Sequence, residues 1–324
     1  MKTTALKVLI GALAIVAAGC GPSFAQKPYP SQLTKLVVSF PPGSTVDLIG
    51  RVLADSLSRR WGMPVIVENV AGAAGQLGTG RVAQALPDGH TLLVSPPAQL
   101  VTHHVLYKTL PYDPRQFVPI TVVAQVPHVL GVRKDFVTSL ADFISYAKAN
   151  PGKLTYASQG VGSTTHLTTT LFARRANIDM LHVPYRGTAP ALNDLISGNI
   201  DSMFDNVGTA LPLHRAGRIR ILATANTQRL DALPDIPTIE ESGFAGFRSV
   251  TWYALVAPRA TPDPIVEAIN NAVAAILLEP DVRRKLEDLS LQPAGGTTRQ
   301  AAQFFKEETA VWSEVIKNAN VEVQ

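Results

Sequence analysis

One pattern recurs along the chain: a short apolar run, then small or polar residues, then apolar residues at helical spacing. Its first occurrence joins Leu36–Phe40, Pro41–Thr45 and a segment from Val46 to Leu57 in which apolar residues recur every three or four positions. Similar units follow, with predicted strands at Leu154–Ala157 and Ile200–Phe204. Strands that alternate with helices favour a mostly parallel sheet flanked by helices on both faces, so the sequence predicts an α/β fold.

The length of the chain and its extended segments predict two domains. A chain of 324 residues is longer than one typical domain of about 100–150 residues. Val118–Val126 and His128–Val132 are apolar without helical spacing and are interpreted as the passage into a second domain, with Trp252–Ala257 as the return. We therefore expect residues 26–125 and 252–324 to form a discontinuous domain 1, and residues 126–251 to form domain 2, with a hinge at the two crossings.

The first 25 residues have the features of a signal peptide. Lys2 and Lys7 precede the uncharged apolar stretch Val8–Ala18, and Ser23-Phe24-Ala25 is a small-residue cleavage pattern. The apolar stretch is too short to cross a bilayer core, which needs about 20 residues. We expect export through a cleaved signal peptide, with lipid attachment at Cys20, the single cysteine, as the alternative.

Charge and motifs argue against several classes of function. The net charge is +4 and the chain has no run of four basic residues, so nucleic acid is a poor candidate partner. The glycine-containing segment Gly160–Thr164 lacks the lysine and the spacing of a nucleotide-binding loop. The adjacent His103 and His104 point apart in any regular element, and no metal-binding motif occurs. We expect neither a metal nor a cofactor.

A periplasmic serine hydrolase is the enzymatic alternative. Ser163 and His166 are three residues apart and could meet on one face of a helix. However, the sequence lacks the G-x-S-x-G motif of a nucleophile elbow, and no acid that would orient the histidine is identified. We therefore expect a binding protein rather than an enzyme.

Three loops follow predicted strands and precede predicted helices: Pro41–Thr45, Ser158–Thr164 and Tyr185–Thr188. Open parallel sheets bind ligands beyond the carboxyl ends of their strands, and the free N–H groups at a helix start attract anions. Two such loops facing each other would hold an anion without lysine or arginine; alternatively, each loop only caps its helix. Asp205, at the end of another strand, either accepts a hydrogen bond from a ligand amine or caps the following helix.

A series of short motifs resembles one receptor family over essentially the whole mature chain. The motifs are Val38-Ser39-Phe40-Pro41-Pro42-Gly43 with Asp47, Val67-Glu68-Asn69, Pro87-Asp88-Gly89-His90-Thr91-Leu92-Leu93, Leu110-Pro111-Tyr112-Asp113-Pro114, Asn150-Pro151-Gly152-Lys153-Leu154, Tyr156-Ala157-Ser158, His182-Val183-Pro184-Tyr185-Arg186-Gly187, Phe204-Asp205-Asn206 and Leu233-Pro234-Asp235-Ile236-Pro237-Thr238. In their order and spacing the chain resembles the substrate-binding proteins of tripartite tricarboxylate transporters, the Bug-type receptors.

The resemblance implies a two-domain periplasmic binding protein of the Venus-flytrap, type II-like kind. It implies a small carboxylate ligand (a di- or tricarboxylate, an acidic amino acid or an aromatic acid) held largely by backbone amides, hydroxyl groups and bridging water. It also implies a periplasmic location and delivery of the ligand to a membrane permease, with a membrane sensor kinase as the alternative partner. We expect the receptor to be a monomer.

The resemblance also assigns the residues of the cleft. They fall on the loops described above and on two further turns, and they are Phe40, Pro42, Gly43, Ser44, Thr45, Asp47, Ala74, Ser95, Ser158, Gly160, Gly162, Ser163, Thr164, His166, Tyr185, Arg186, Gly187 and Asp205.

Three of these segments depart from the pattern of the family. Ser44 stands where a second glycine is usual, the segment Asn69–Gly75 lacks the usual Arg-Pro-Gly, and Ser95-Pro96-Pro97 replaces a turn rich in serine, threonine and glycine. All three lie at the predicted cleft, so they bear on which ligand is bound rather than on the fold.

Overall fold

A computed structural model of the chain describes residues 29–185 and 188–318. The predicted signal peptide and Cys20 lie outside the described residues, as do two predicted site residues, Arg186 and Gly187. In the part of the chain that is described, no helix is long and apolar enough to cross a membrane.

The first half of the sheet is built from parallel strand–helix units. Its elements are β1 (Thr34–Val38), α1 (Thr45–Trp61), β2 (Val65–Asn69), α2 (Gln76–Ala83), β3 (Thr91–Ser95), a π-helix (Ala98–Thr102) and α3 (His103–Leu106). β1 lies between β2 and β3 and is parallel to both. α1 buries Val46, Ile49, Leu53 and Leu57, the apolar face predicted from the sequence. The helix ends at Gly62, whose φ of 64° is a left-handed value that glycine adopts easily.

Two long strands connect this half of the sheet with the second. β4 (Phe117–Arg133) is one continuous strand through Pro127, where the sequence predicted two runs. β9 (Val250–Pro258) is buried along its whole length and pairs antiparallel with both β3 and β4.

The second half repeats the strand–helix pattern. Its elements are α4 (Leu140–Ala149), β5 (Thr155–Ser158), α5 (Thr164–Ala176), β6 (Leu181–Pro184), α6 (Thr188–Ser197), β7 (Ser202–Asn206), α7 (Val207–Arg215) and β8 (Ile219–Thr224). β5 is parallel to β6 and to β7, whereas β7 and β8 lie antiparallel along the two edges of β4.

The C-terminal elements pack on the first half. α8 (Asp263–Ile276), α9 (Pro280–Asp288), β10 (Gln292–Gly295) and α10 (Thr298–Asn318) follow β9. Apolar residues at helical spacing in the sequence predict the three helices, whereas β10, which pairs antiparallel with β4, has no such signal. α8 contacts α1 and β4, and its Asn270 donates hydrogen bonds to the carbonyl oxygens of Ile120 and Gly296, at 2.8 and 2.9 Å.

The α/β fold class is confirmed; the sheet, predicted to be mostly parallel, is mixed, with parallel strand–helix units joined through antiparallel strands. A strand that leaves one half and a neighbouring strand that returns to it must run in opposite directions, so β4 and β9 are antiparallel. Residues of β4 up to Pro127 pair with β9, and those from His128 pair with β7 and β8. The predicted hinge and the division at 125/126 and 251/252 stay predictions.

Glu308 ties α10 to the returning strand. Its Oε2 atom accepts hydrogen bonds from the indole Nε1 of Trp252 in β9, at 2.8 Å, and of Trp312 in α10, at 3.0 Å. Both indoles are buried, so an N–H group left without an acceptor there would cost stability.

Replacing Glu308 with alanine should lower the free energy of unfolding by about 2–4 kcal/mol, because two buried N–H groups lose their acceptor. Urea unfolding followed by circular dichroism measures the change. Glu307→Ala is the matched control, since Glu307 is an exposed residue of the same helical turn. Equal unfolding midpoints for the two variants would contradict the prediction.

Candidate functional site

A cavity of 350 Å³ lies beyond the carboxyl ends of β1, β3, β5 and β7, with residues of both halves of the sheet in its walls. We call this cavity the cleft. The starts of α1, the π-helix, α5 and α7 all contribute to it. Its lining residues are Phe40, Ser44, Thr45, Val46, Ala74, Pro96, Pro97, Ala98, Gln99, His103, Leu106, Tyr107, Gln159, Val161, Gly162, Ser163, Thr164, Asn206, Thr251 and Tyr253.

The start of α1 is left without a side-chain cap. The spacing of Ser44 and Asp47 predicts a capping box, but the structure contradicts this: the Ser44 hydroxyl donates to the Pro41 carbonyl, at 2.8 Å, and caps no N–H group. The buried Asp47 carboxylate instead accepts from Gly43 N, at 2.8 Å. The first N–H groups of the helix, from Thr45 onward, therefore keep their capacity to donate to a ligand.

Asp47 holds the loop Pro41–Thr45 in place through the hydrogen bonds of its carboxylate. Its carboxylate also accepts from Arg51 Nε and from Asn69 Nδ2, each at 2.9 Å. Burial opposes ionisation of Asp47, but the hydrogen bonds from Arg51, Gly43 and Asn69 outweigh it and lower the pKa of the carboxyl. Asp47 does not line the cleft, so its observed role is to fix the backbone of the loop.

The start of α5 is held by a local network. Ser163 is the N-cap residue: its Oγ accepts from His166 N, at 3.3 Å, and donates to the Gly160 carbonyl, at 2.7 Å. Buried Ser158 accepts from Gly160 N, at 3.1 Å. Gly160 and Gly162 have φ values of 116° and 77°, which residues with a side chain rarely adopt. This network positions the first N–H group of the helix, that of Thr164, at the cleft.

His166 braces this loop rather than activating Ser163. Its Nδ1 atom accepts from Gly162 N, at 3.1 Å, so the proton of the neutral ring sits on Nε2. Burial, with a smaller contribution from neighbouring His182, whose ring is stacked at 4.1 Å, lowers the pKa of His166 to about 4. Since the ring nitrogen that could act as a base is already occupied, the geometry does not support the serine-hydrolase alternative.

Asp205 lies behind the cleft. Its carboxylate accepts hydrogen bonds from Gln159 Nε2, at 3.2 Å, and from Thr209 in the first turn of α7. Burial raises the pKa of Asp205 to about 6. Asp205 was predicted either to bind a ligand amine or to cap the following helix, and its contact with Thr209 in the first turn of α7 fits the second role better. The neighbouring Asn206 is the N-cap residue of α7 and lines the cleft.

A chain of hydrogen bonds fixes the wall opposite α5. Ser95 Oγ donates to Gln99 Oε1, at 3.2 Å, and Gln99 Nε2 donates to the Ala74 carbonyl, at 2.7 Å. Ala73 and Ala74 have φ values of 47° and 52°, in the left-handed region that few residues other than glycine occupy. The predicted site residue Ser95 therefore acts through Gln99, which the sequence analysis did not identify.

The structure brings seven of the predicted residues to the cleft: Phe40, Ser44, Thr45, Ala74, Gly162, Ser163 and Thr164. Nine others lie outside its lining: Pro42, Gly43, Asp47, Ser95, Ser158, Gly160, His166, Tyr185 and Asp205. The Tyr185 hydroxyl, for example, donates to Asp194, at 2.6 Å. Ligand contact stays a prediction for all of them.

Several lining residues escaped the sequence analysis. Gln159 lies inside the predicted loop Ser158–Thr164 and Asn206 ends the motif Phe204-Asp205-Asn206, but neither was assigned to the site. Thr251 and Tyr253 share one face of β9, but this strand is buried on both faces and has no polar alternation to mark the cleft side.

The cleft is uncharged over its described lining. None of the lining residues is a lysine, arginine, aspartate or glutamate. The described residues also contain no group of three or more potential metal ligands. What the cleft offers a ligand is therefore N–H groups at helix starts, hydroxyl and amide groups, and the aromatic rings of Phe40, Tyr107 and Tyr253.

The comparisons with known proteins all point to one receptor family. The sequence model of the tripartite tricarboxylate transporter family receptors matches residues 49–321. Protein BugT of Bordetella pertussis is 32% identical over 327 residues, which cover 100% of both chains.

Two similar solved structures contain carboxylate ligands. Rpa4515 of R. palustris, solved with adipate, is 37% identical, with a TM-score of 0.78 over 91% of this chain and 99% of that one. MatC of Rhodopseudomonas palustris, with bound malate, is 34% identical, with a TM-score of 0.74 over 89% of this chain and 100% of that one.

Acid should destabilise the protein. Burial lowers the pKa values of His103, His128 and His166 to about 4, so the folded state binds fewer protons than the unfolded state below pH 6.5. Their contribution to stability is lost as the pH falls from 6.5 toward 4. Asp205, whose pKa is raised to about 6, stabilises the folded state as the pH falls, but this single group offsets only part of the loss from the three histidines. We expect the free energy of unfolding to fall by roughly 2–4 kcal/mol between pH 6.5 and 5.

Urea unfolding at a series of pH values measures this loss. His166→Asn keeps an acceptor for Gly162 N and removes one titrating group, so its stability should depend less steeply on pH than that of the wild type. A wild-type stability that is flat or rises between pH 6.5 and 5 would contradict the assignment of neutral buried histidines.

Proposed function

The chain belongs to the tripartite tricarboxylate transporter receptor family, and on this premise we propose that it binds a small carboxylate in the cleft and delivers it to a membrane permease. The predicted resemblance to Bug-type receptors is confirmed. Family and structural neighbours are solute-binding receptors, so the prediction of a receptor rather than an enzyme is also confirmed.

The observation that carries the proposal is the convergence of helix starts on an uncharged cleft. α1 and α5 approach it from different halves of the sheet, and the first N–H groups of each have no partner within the helix. Such groups, together with the positive end of the helix dipole, bind anions. A carboxylate accepting from both helices would draw the two halves together.

The chemistry of the lining narrows the proposed ligand. An acidic amino acid would bring an ammonium group, and the described lining offers that group no carboxylate. Asp205, the candidate for this role, is already engaged by Gln159 and Thr209 behind the cleft. We therefore favour an acid without an ammonium group, as adipate and malate are in the two neighbours.

Delivery to a permease rests on the family and on the expected closure of the hinge. A ligand that contacts both halves stabilises the closed form, which a membrane partner could then recognise. No observation favours a sensor kinase as that partner. The extracytoplasmic location agrees with the family, and signal-peptide cleavage and lipid attachment at Cys20 stay predictions.

Thermal unfolding of residues 26–324 tests carboxylate binding. Adipate at about 100 times its dissociation constant should stabilise the fold by about 2.7 kcal/mol and raise the midpoint by several degrees. Adipamide, which has the same chain without a charge, should not. The proposal would be contradicted if adipate and adipamide raised the unfolding midpoint equally, or if neither adipate nor malate raised it.

A single backbone donor can be removed at the start of α5. Thr164 is the first helical residue, where proline is tolerated, and Ser163 already has the extended conformation that precedes proline, with φ −65° and ψ 157°. Thr164→Pro should weaken adipate binding by about 1.5–3 kcal/mol, the contribution of a hydrogen bond to a charged group.

Thr164→Val is the matched control, because it removes the hydroxyl and keeps the N–H group. Calorimetric titration of both variants separates the two donors. Wild-type affinity in Thr164→Pro would show that this N–H group does not bind the ligand.

A further inference from the structure

His103 is a base in the wall of an otherwise uncharged cleft. It begins α3, is 3% exposed and lines the cleft. The Tyr112 hydroxyl donates to the Gln99 carbonyl, at 2.9 Å, and lies 3.2 Å from His103 Nδ1. Since the single proton of that hydroxyl is used, Nδ1 must be the donor in the second contact. The neutral ring therefore carries its lone pair on Nε2, which bonds no residue in the described parts of the chain.

The groups that contact the His103 ring are uncharged. Tyr107 packs edge-on against the ring at 4.9 Å, Tyr112 binds Nδ1, and Tyr253 lies across the cleft. Burial alone lowers the pKa of His103, to about 4. The charged groups of this region, Lys108, Asp113 and Arg115, line a separate outer groove together with His104.

A second negative charge in the cleft would need a counter-charge. The N–H groups at helix starts can hold one carboxylate, but an uncompensated charge in a buried site is costly. Among the described lining residues, His103 is the side chain that can gain a proton and become positive when a ligand raises its pKa. A carboxylate beside Nε2 would favour the imidazolium and raise its pKa.

We propose that His103 recognises a second carboxylate of the ligand, and that this contact takes up a proton from solvent onto Nε2. This inference rests on the proposed carboxylate-receptor function and assigns a specificity-determining residue of the same cleft. Nε2 supplies the electron pair, the solvent supplies the proton, and the imidazolium then donates to the carboxylate.

Calorimetry with adipate and hexanoate tests the proposal, because the two acids differ in the second carboxylate. Titrations at pH 6.5, where adipate is still mainly a dianion, in two buffers of different ionisation enthalpy give the number of protons taken up. A neighbouring carboxylate raises a pKa by about 1–3, so the pKa of His103 would rise from about 4 in the free protein to about 7 at most in the complex. We expect uptake of a substantial fraction of one proton with adipate and close to none with hexanoate. The dissociation constant for adipate should rise several-fold between pH 6.5 and 8.

His103→Gln should abolish proton uptake and weaken adipate more than hexanoate. His104→Gln is the matched control, since His104 is exposed on the outer groove, and it should behave as the wild type. A ¹⁵N NMR spectrum of the histidines in the wild-type protein detects the same protonation without a substitution. One imidazole ring should become an imidazolium when adipate is added.

The outcomes separate this inference from the function on which it rests. Adipate binding without proton uptake, or uptake that persists in His103→Gln, would overturn the role of His103 and leave the carboxylate receptor standing. Failure of both acids to bind would instead contradict the proposed function.

Discussion

The antiparallel pairing of β4 and β9 is the contact on which the rest of the structure depends. These two strands carry the chain between the halves of the sheet, and β9 is buried along its whole length. Where β4 changes partners, fully buried His128 places Nδ1 3.0 Å from Ser249 Oγ and Nε2 3.0 Å from Thr251 Oγ1. Burial lowers the pKa of this histidine to about 4, so a neutral hydrogen-bonded ring joins the crossing to the floor of the cleft at Thr251.

The cleft follows from that crossing. Each parallel strand delivers the start of a helix to the same end of the sheet, and the crossing strands set the two groups of helix starts facing each other. Neutral N–H donors suit a receptor that must release its ligand, because they bind an anion without the desolvation cost of a buried ion pair. In the proposed binding mode, His103 gains a positive charge only when a second carboxylate binds, which would reconcile an uncharged cavity with a doubly charged acid.

Local patterns predicted the local structure well. α4 and α5 begin after Ser139 and Ser163, whose hydroxyls accept from the helix as serine N-caps do. The β10 segment, with proline and glycine in four residues, becomes a strand only because β4 offers an edge. The loops of the cleft were predictable for the same local reasons. Gln99 and His103 were not, since they reach the cleft through a π-helix and contacts that no spacing in the sequence encodes.

A crystal structure of residues 26–324 with adipate bound tests the central claim most directly. The account predicts one carboxylate within hydrogen-bond distance of N–H groups at the starts of α1 and α5, contacted by Thr45 or Val46 and by Thr164 or Thr165. Adipate held instead by arginine or lysine side chains, or bound in the outer groove, would contradict an anion site built from helix starts.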